Sequence, residues 1–340
     1  MRAWPLVVAL AACGGGNGVG PHPDGSGGGG SADSGIDAPL PPGWTELVGR
    51  TWSLNFGGDE GYRCARIKVP QDMWVSAFRA DMATGTHHMF LTLDPNGGTR
   101  VGNIDPCDQT TGVDNGQLLY GASVGPMNAA DLVFPAGDAV HVAAGSYVML
   151  NMHVFDETDQ PMSGMARVLV QTVPQGEVVH ELKGAFAGTK NIDIPSDNIV
   201  HTSVGTCPTP RSQDYHILAV WPHMHQFGVH AHLTIVPDGT NNTDVVLDKA
   251  FTFDDQTNNM VTERVLHAND QLQFTCSYQV PAQTCTYPGG QCNHGSCQSD
   301  GLCHVAYGES SVGEMCYAAL YMYPPPDVLY GCVNGNPQPL

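Results

Sequence analysis

From about Gly43 to Leu340 the large apolar residues fall in short segments rich in Val, Leu, Phe, Tyr and Thr, and nowhere do they sustain a 3.6-residue period. CARIKV, WVSAFRA, MFLTLD, YVMLNMHVF, ARVLVQTV, HILAVW, HLTIV, VVLDKAFTF and QLQFTCSYQV are separated by Gly, Pro, Asn and Asp. β-Branched and aromatic runs between such breakers predict strands. The pattern predicts an all-β chain of two tandem, jelly-roll-like β-sandwich domains. A dip in apolar content at QTVPQGEVVH places their boundary, giving 44–174 and 175–340.

The beginning of the chain follows another pattern. MRAWPLVVALAACGGG carries one positive charge at Arg2, a short apolar stretch and small residues before Cys13. This order predicts an export signal over residues 1–13. Leu10-Ala11-Ala12-Cys13 resembles a bacterial lipobox, which implies a lipidated Cys13 as the mature N-terminus. Gly14 rather than Asp in the next position implies sorting to the outer membrane, on its periplasmic or cell-surface face. Residues 14–43 hold almost no large apolar side chain and are expected to be a disordered tether. No apolar run approaches the roughly 20 residues of a membrane span, so the expected membrane contact is the lipid anchor alone.

Charge and cysteine content narrow the function classes. The 340 residues carry a formal net charge of -20, which lacks the basic footprint that nucleic-acid binding requires. Of the 11 cysteines, ten remain after Cys13, an even number in an exported chain, so disulfides are expected.

The chemistry-bearing residues are histidines. WPHMHQFGVHAHL sets His223 and His225 on one face of a strand, with Met224 on the other. His230 and His232 have the opposite parity and read as ordinary surface or hydrogen-bonded residues. GTHHMFLTL carries adjacent His87 and His88; on a regular strand they face opposite ways, so binding one ion through both needs an irregular backbone, which Gly85 allows. His153 closes the apolar strand YVMLNMHVF, and GEMCYAALYMYP sets Met315 beside Cys316.

The order HH, a strand-borne His, H-x-H and then E-M-C resembles the copper type II ascorbate-dependent monooxygenases, the family of peptidylglycine α-hydroxylating monooxygenase and dopamine β-monooxygenase. The resemblance covers most of residues 45–335. It implies two copper ions: His87, His88 and His153 would hold the electron-supplying one, and His223, His225 and Met315 the one that activates O2. It implies ascorbate or a similar reductant as co-substrate, a small-molecule substrate hydroxylated at a C–H bond, and no obligate protein partner. It also implies three disulfides, Cys64 to Cys107, Cys207 to Cys332 and Cys276 to Cys316.

Four cysteines lie outside that pattern: Cys285, Cys292, Cys297 and Cys303 in CTYPGGQCNHGSCQSDGLCH. Their spacing is not that of two C-x2-C knuckles, so two disulfides are expected rather than zinc, with three pairings open. The insert 285–303 leads into the Met315 strand and is expected to border the O2-activating site. Three positions depart from the peptidylglycine pattern, one of them Ala319, which stands where that pattern has a tyrosine near the copper. Trp221 stands where an arginine would bind a substrate carboxylate, and Tyr317 where an asparagine would bind substrate. An aromatic or apolar substrate touching Trp221 and Tyr317 is the resulting expectation. The alternative is a non-catalytic copper-binding lipoprotein on the same scaffold.

Overall fold

A computed structural model describes residues 39–55, 60–94, 98–112, 116–123, 131–156, 158, 160–209, 213–308 and 312–326, together with the backbone of 331–333 and 336–338. The expected signal peptide, Cys13 and nearly all of the tether lie outside these residues. Residues 34–340 form one compact unit.

Ten strands make the first part of the fold. They are β1 (Thr45–Leu54), β2 (Glu60–Lys68), β3 (Met73–Met82), β4 (Thr86–Leu93), β5 (Gly102–Ile104), β6 (Gln117–Ser123), β7 (Leu132–Val133), β8 (Asp138–Val142), β9 (Tyr147–Phe155) and β10 (Met162–Thr172). A single 3-10 turn, Gln175–Glu177, lies in the QTVPQGEVVH stretch. Then come β11 (His180–Thr189), β12 (Asp193–Pro195), β13 (Val200–Pro208), β14 (Tyr215–His223), β15 (Gly228–Val236), β16 (Asp244–Ala250), β17 (Asn259–Leu266) and β18 (Gln271–Gln279). The last are β19 (Ser296–Cys297), β20 (Cys303–Ala306), β21 (Cys316–Tyr323), β22 (Gly331–Val333) and β23 (Asn336–Gln338). Among the described residues there is no α-helix.

The expected all-β sandwich is what the chain forms. A large sheet runs β1-β10-β3-β8-β11-β21-β14-β17, and its two ends face different partners. One end encloses a hydrophobic core with the sheet β5-β2-β9-β4-β6; Trp52, Phe78, Leu91, Leu150 and Val168 lie in it. The other encloses a second core with β13-β18-β15-β16, built from residues such as Ile217, Leu233, Phe274 and Leu320. The ends join through a short parallel pairing in which His180, Glu181 and Leu182 of β11 oppose Asp138, Ala139 and Val140 of β8.

Side-chain alternation fixes which face each strand buries. On β18, Leu272, Phe274, Cys276 and Tyr278 point inward, while the residues between them are less buried. Burying each such large apolar side chain contributes roughly 1.5–3 kcal/mol. β9 and β14 differ, because nearly all their residues are buried on both faces. These two strands carry His153 and His223.

Disulfides pin the loops. Cys64–Cys107 and Cys276–Cys316 are formed as the resemblance implies. In the insert the pairing is Cys285–Cys297 and Cys292–Cys303, which selects one of the three possibilities. Cys207 is disulfide-bonded, and the side chain of Cys332 lies outside the described residues.

Candidate metal centre

The first histidine set is built by a bulge. Along the β4–β9 pairing Thr86 opposes Val154 and His88 opposes His153, so His87 is an extra residue on β4. The turn before it is made by Gly85 at φ +93°, a backbone conformation that disfavours any other residue. A regular strand would send His87 and His88 to opposite faces; the extra residue re-aims one of them. Their Nδ1 atoms are 3.0 Å apart, and one ring nitrogen from each of His87, His88 and His153 falls within 4.8 Å of the others. Two nitrogens bound to one ion at about 2.0 Å, with a tetrahedral angle, stand about 3.3 Å apart. Tyr62, the register partner of His153 on β2, stacks on it at 4.8 Å between ring centroids.

The second set sits where β14 ends. Met224 points into the second core, leaving His223 and His225 together on the other side with ring centroids 5.3 Å apart. The Nδ1–H of His223 donates to Oε1 of Gln256 at 2.7 Å, and the Gln256 amide is oriented by its own Nε2–H donating to the Phe253 carbonyl. The Nδ1–H of His225 donates to the Gly313 carbonyl at 3.0 Å. Both acceptors can only accept, so both rings carry a proton on Nδ1, and in His223, whose pKa is lowered, this leaves Nε2 as the lone pair.

Met315 reaches the same turn through its neighbour. Glu314 is fully buried, and its carboxylate accepts the backbone N–H groups of His225 (2.9 Å), Phe227 (2.7 Å) and Met315 (3.3 Å). Burial pushes the Glu314 carboxyl up to about 7, opposed by these three donors. The Met315 carbonyl accepts from the Tyr278 hydroxyl at 2.7 Å.

The two sets meet. His88 and His223 have ring centroids 5.7 Å apart, and Phe253 packs against His87 at 4.2 Å and His225 at 6.2 Å. Burial pushes His87 and His153 down to about 4 and His223 to about 3, with the neighbouring imidazoles lowering His87 and His223 further. His88 is held well below the ordinary histidine range by burial and by its histidine neighbours. At neutral pH these four rings are therefore uncharged, the protonation state that ligates metals.

Nε2 of His87 and Nδ1 of His153 are buried without a hydrogen-bond partner. A buried unpartnered polar atom costs about 1–3 kcal/mol, and ligation to a cation would satisfy it. The His87, His88 and His153 set therefore fits a metal that accepts imidazole ligands.

Other expected residues fall elsewhere. Trp221 is fully buried, with Nε1–H donating to the Gln256 carbonyl, one face against His223 and Phe90 edge-on to it. It backs His223 and offers no surface for a substrate to stack on, which corrects the expectation of substrate contact at this position. Tyr317 is half-buried and opposes His223 across the β14–β21 pairing, with its ring over Gly188. His230 pairs with Asp248 on β16 at 2.8 Å.

Gln256, Phe253 and Tyr62 were not singled out as site residues by sequence reasoning. Nothing in their spacing marks them, because they reach the histidines through loops and sheet pairing. Glu314 was legible only as part of the E-M-C string.

No protein-family model matches the chain, and no curated protein matches it. The solved structures it is similar to include the major capsid protein of bacteriophage PM2, at 12% identity over 72% of this chain and 100% of that one, with a TM-score of 0.24. Another is a T13 viral particle of infectious bursal disease virus, at 11% identity over 82% of this chain and 70% of that one, with a TM-score of 0.21. Scores this low carry no argument about function.

Proposed function

We propose that the chain is a copper-dependent monooxygenase that hydroxylates a C–H bond, using O2 and a one-electron reductant such as ascorbate. The observation that carries the reading is the joining of two histidine sets, from opposite sandwiches, into one buried array of neutral imidazoles. His87, His88 and His153 are the electron-supplying set, and His223, His225 and Met315 the O2-activating set.

Bound copper would supply the one-electron chemistry; the chain supplies ligands, their orientation and exclusion of water. Imidazole suits both copper oxidation states, whereas a thioether is soft and favours Cu(I), so Met315 biases its set towards the reduced ion. Gln256 and the Gly313 carbonyl engage Nδ1 of His223 and His225, so Nε2 is the nitrogen each ring would offer to copper. Phe90, Trp221 and Phe253 keep the array dry, which strengthens electrostatic interactions within it. In this reading the enzyme is exported and held at the outer membrane by the Cys13 lipid, and takes a small-molecule substrate.

The test is copper stoichiometry on the protein from Gly43 onward, beside Met315→Ala and a His87→Ala/His88→Ala variant, with ascorbate-driven oxygen uptake on the same samples. Two coppers in the parent, one lost in each variant, and oxygen uptake coupled to a hydroxylated product are expected. Two coppers without coupled turnover on a broad substrate panel would leave a copper-binding lipoprotein. No stoichiometric copper would remove the reading altogether.

A further inference from the structure

The disulfide-rich insert is docked at both ends. Its return strand β20 pairs with β12, Ser196 N–H donates to the Cys303 carbonyl, and Gln283 N–H to the Ser196 carbonyl. His304 is clamped between Asp193 and Asp300, at 2.6 and 3.0 Å. Cys285–Cys297 and Cys292–Cys303 close the loop on itself.

From this platform two contacts lead to the second histidine set. The first is backbone: Glu314 N–H donates to the Ala306 carbonyl at 3.0 Å, and Gly308 N–H to the Glu314 carbonyl at 3.1 Å. Glu314 is thereby pinned to the chain leaving β20, and its carboxylate in turn holds the N–H groups of His225, Phe227 and Met315. The second is side-chain packing: the His294 ring, from the middle of the insert, sits edge-on against Phe227 with centroids 5.0 Å apart. Phe227 closes the same turn that carries His225, so the insert grips that turn from two sides.

We propose that the insert 285–303 is a positioning element for the His223, His225 and Met315 set, acting through Glu314 and through His294 on Phe227. The proposal rests on the metal-binding reading above for its consequence, but its mechanical part stands on the apo protein. A flexible turn would spread His225 over several orientations. A turn fixed by two backbone hydrogen bonds to the Glu314 carboxyl group and a packed ring holds it in one. Residues that orient metal ligands from behind typically change affinity 10- to 100-fold when removed.

The test uses the full chain, a Cys292→Ser/Cys303→Ser variant that unlatches the insert, and His294→Ala, which keeps both disulfides and deletes only the ring. Amide hydrogen exchange of His225 and Phe227 is measured without metal, and Cu(I) affinity at each histidine set afterwards. In the unlatched variant the two amides are expected to exchange at least about tenfold faster, and in His294→Ala a few-fold faster. Affinity at the His223 set is expected to fall about 10- to 100-fold in the unlatched variant, with the His87 set unchanged. Should that variant not fold, His294→Ala decides alone. Unchanged exchange at His225 and Phe227, or an equal rise across all strands of the second sandwich, would overturn the proposal. A parent that binds no copper yet shows the localised exchange effect would sink the functional reading and leave the positioning role intact.

Discussion

The imidazole of His88, on β4, touches that of His223, at the end of β14, with ring centroids 5.7 Å apart. The two strands belong to different sheets, β4 to the five-stranded sheet over the first core and β14 to the large sheet that borders both cores. Phe90 reinforces the contact at 5.9 Å from His223, and Phe253 spans His87 and His225. Two metal sites joined by touching ligands should sense each other. With Cu(II) loaded into both sets, the paramagnetic resonance spectrum is expected to be broadened relative to the sum of the two single-site variants, His87→Ala/His88→Ala and His223→Ala/His225→Ala. A spectrum equal to that sum would show that the sets hold their ions independently.

Acid should destabilise the metal-free protein through the same rings. His87 and His153 titrate at about 4 and His223 at about 3 in the fold, against 6.5 when the chain is unfolded, and His88 lies well below 6.5. Between those limits the unfolded state binds more protons, so stability falls as pH falls from about 6.5 towards 4, at about 1.4 kcal/mol per pH unit for each group fully protonated in one state only. Urea unfolding midpoints from pH 7 to 4.5 measure it. Replacing His87 and His88 with Ala is expected to flatten the slope, and bound metal to release in the same window because protons compete for the ligands.

The strand content was legible because apolar segments of the right length and composition were separated by breakers, and each of the nine segments read as strands lies wholly or mainly in one. β11 was harder: HELKGAFAGT mixes small, charged and apolar residues, because Gly184 and Gly188 lie against the Leu118 and Cys316 carbonyls where side chains would not fit. The histidine clusters were visible as motifs, and the need for an irregular backbone at His87 and His88 followed from strand parity alone. The contact between the sets was not visible, since it depends on how two sandwiches share one sheet. Trp221 read as a substrate residue because sequence shows its chemistry and not the Gln256 carbonyl and Phe90 ring that bury it.

Gln256 should matter to His223 more than its distance in sequence suggests. Its side-chain oxygen is the acceptor that fixes the His223 tautomer. The Gln256 backbone separately accepts from Trp221 Nε1–H and exchanges hydrogen bonds with Ser123. Gln256→Ala therefore keeps the backbone contacts and loses the tautomer lock together with the Nε2–H bond to the Phe253 carbonyl, with an expected drop of about 10- to 100-fold in metal affinity at the His223 set. Nitrogen NMR of the imidazole rings should show His223 moving from a single Nδ1–H tautomer to a mixture. An unaltered tautomer in Gln256→Ala would mean that Trp221 stacking alone orients the ring.

Gly121 sets how closely the first sandwich approaches that same ring system. A methyl group there would meet Cζ3 of Trp221 at 2.7 Å and Cε3 at 2.8 Å, and the Trp221 ring is fully buried with no open space to move into. The Gly121 carbonyl also accepts from Asn258 Nδ2, so the strand is tethered where it lies. Gly121→Ala is expected to destabilise the protein by about 1–3 kcal/mol and, by shifting Trp221 off His223, to weaken metal binding at the second set while sparing His153. Gly176→Ala is the control, because nothing lies within 4 Å of its added methyl group and its φ is not in the left-handed region. Denaturant midpoints, tryptophan emission and site-resolved copper affinity read the three effects. A Gly121→Ala protein as stable as the control, with unchanged emission, would show that the sheets can separate slightly at this point without disturbing the array.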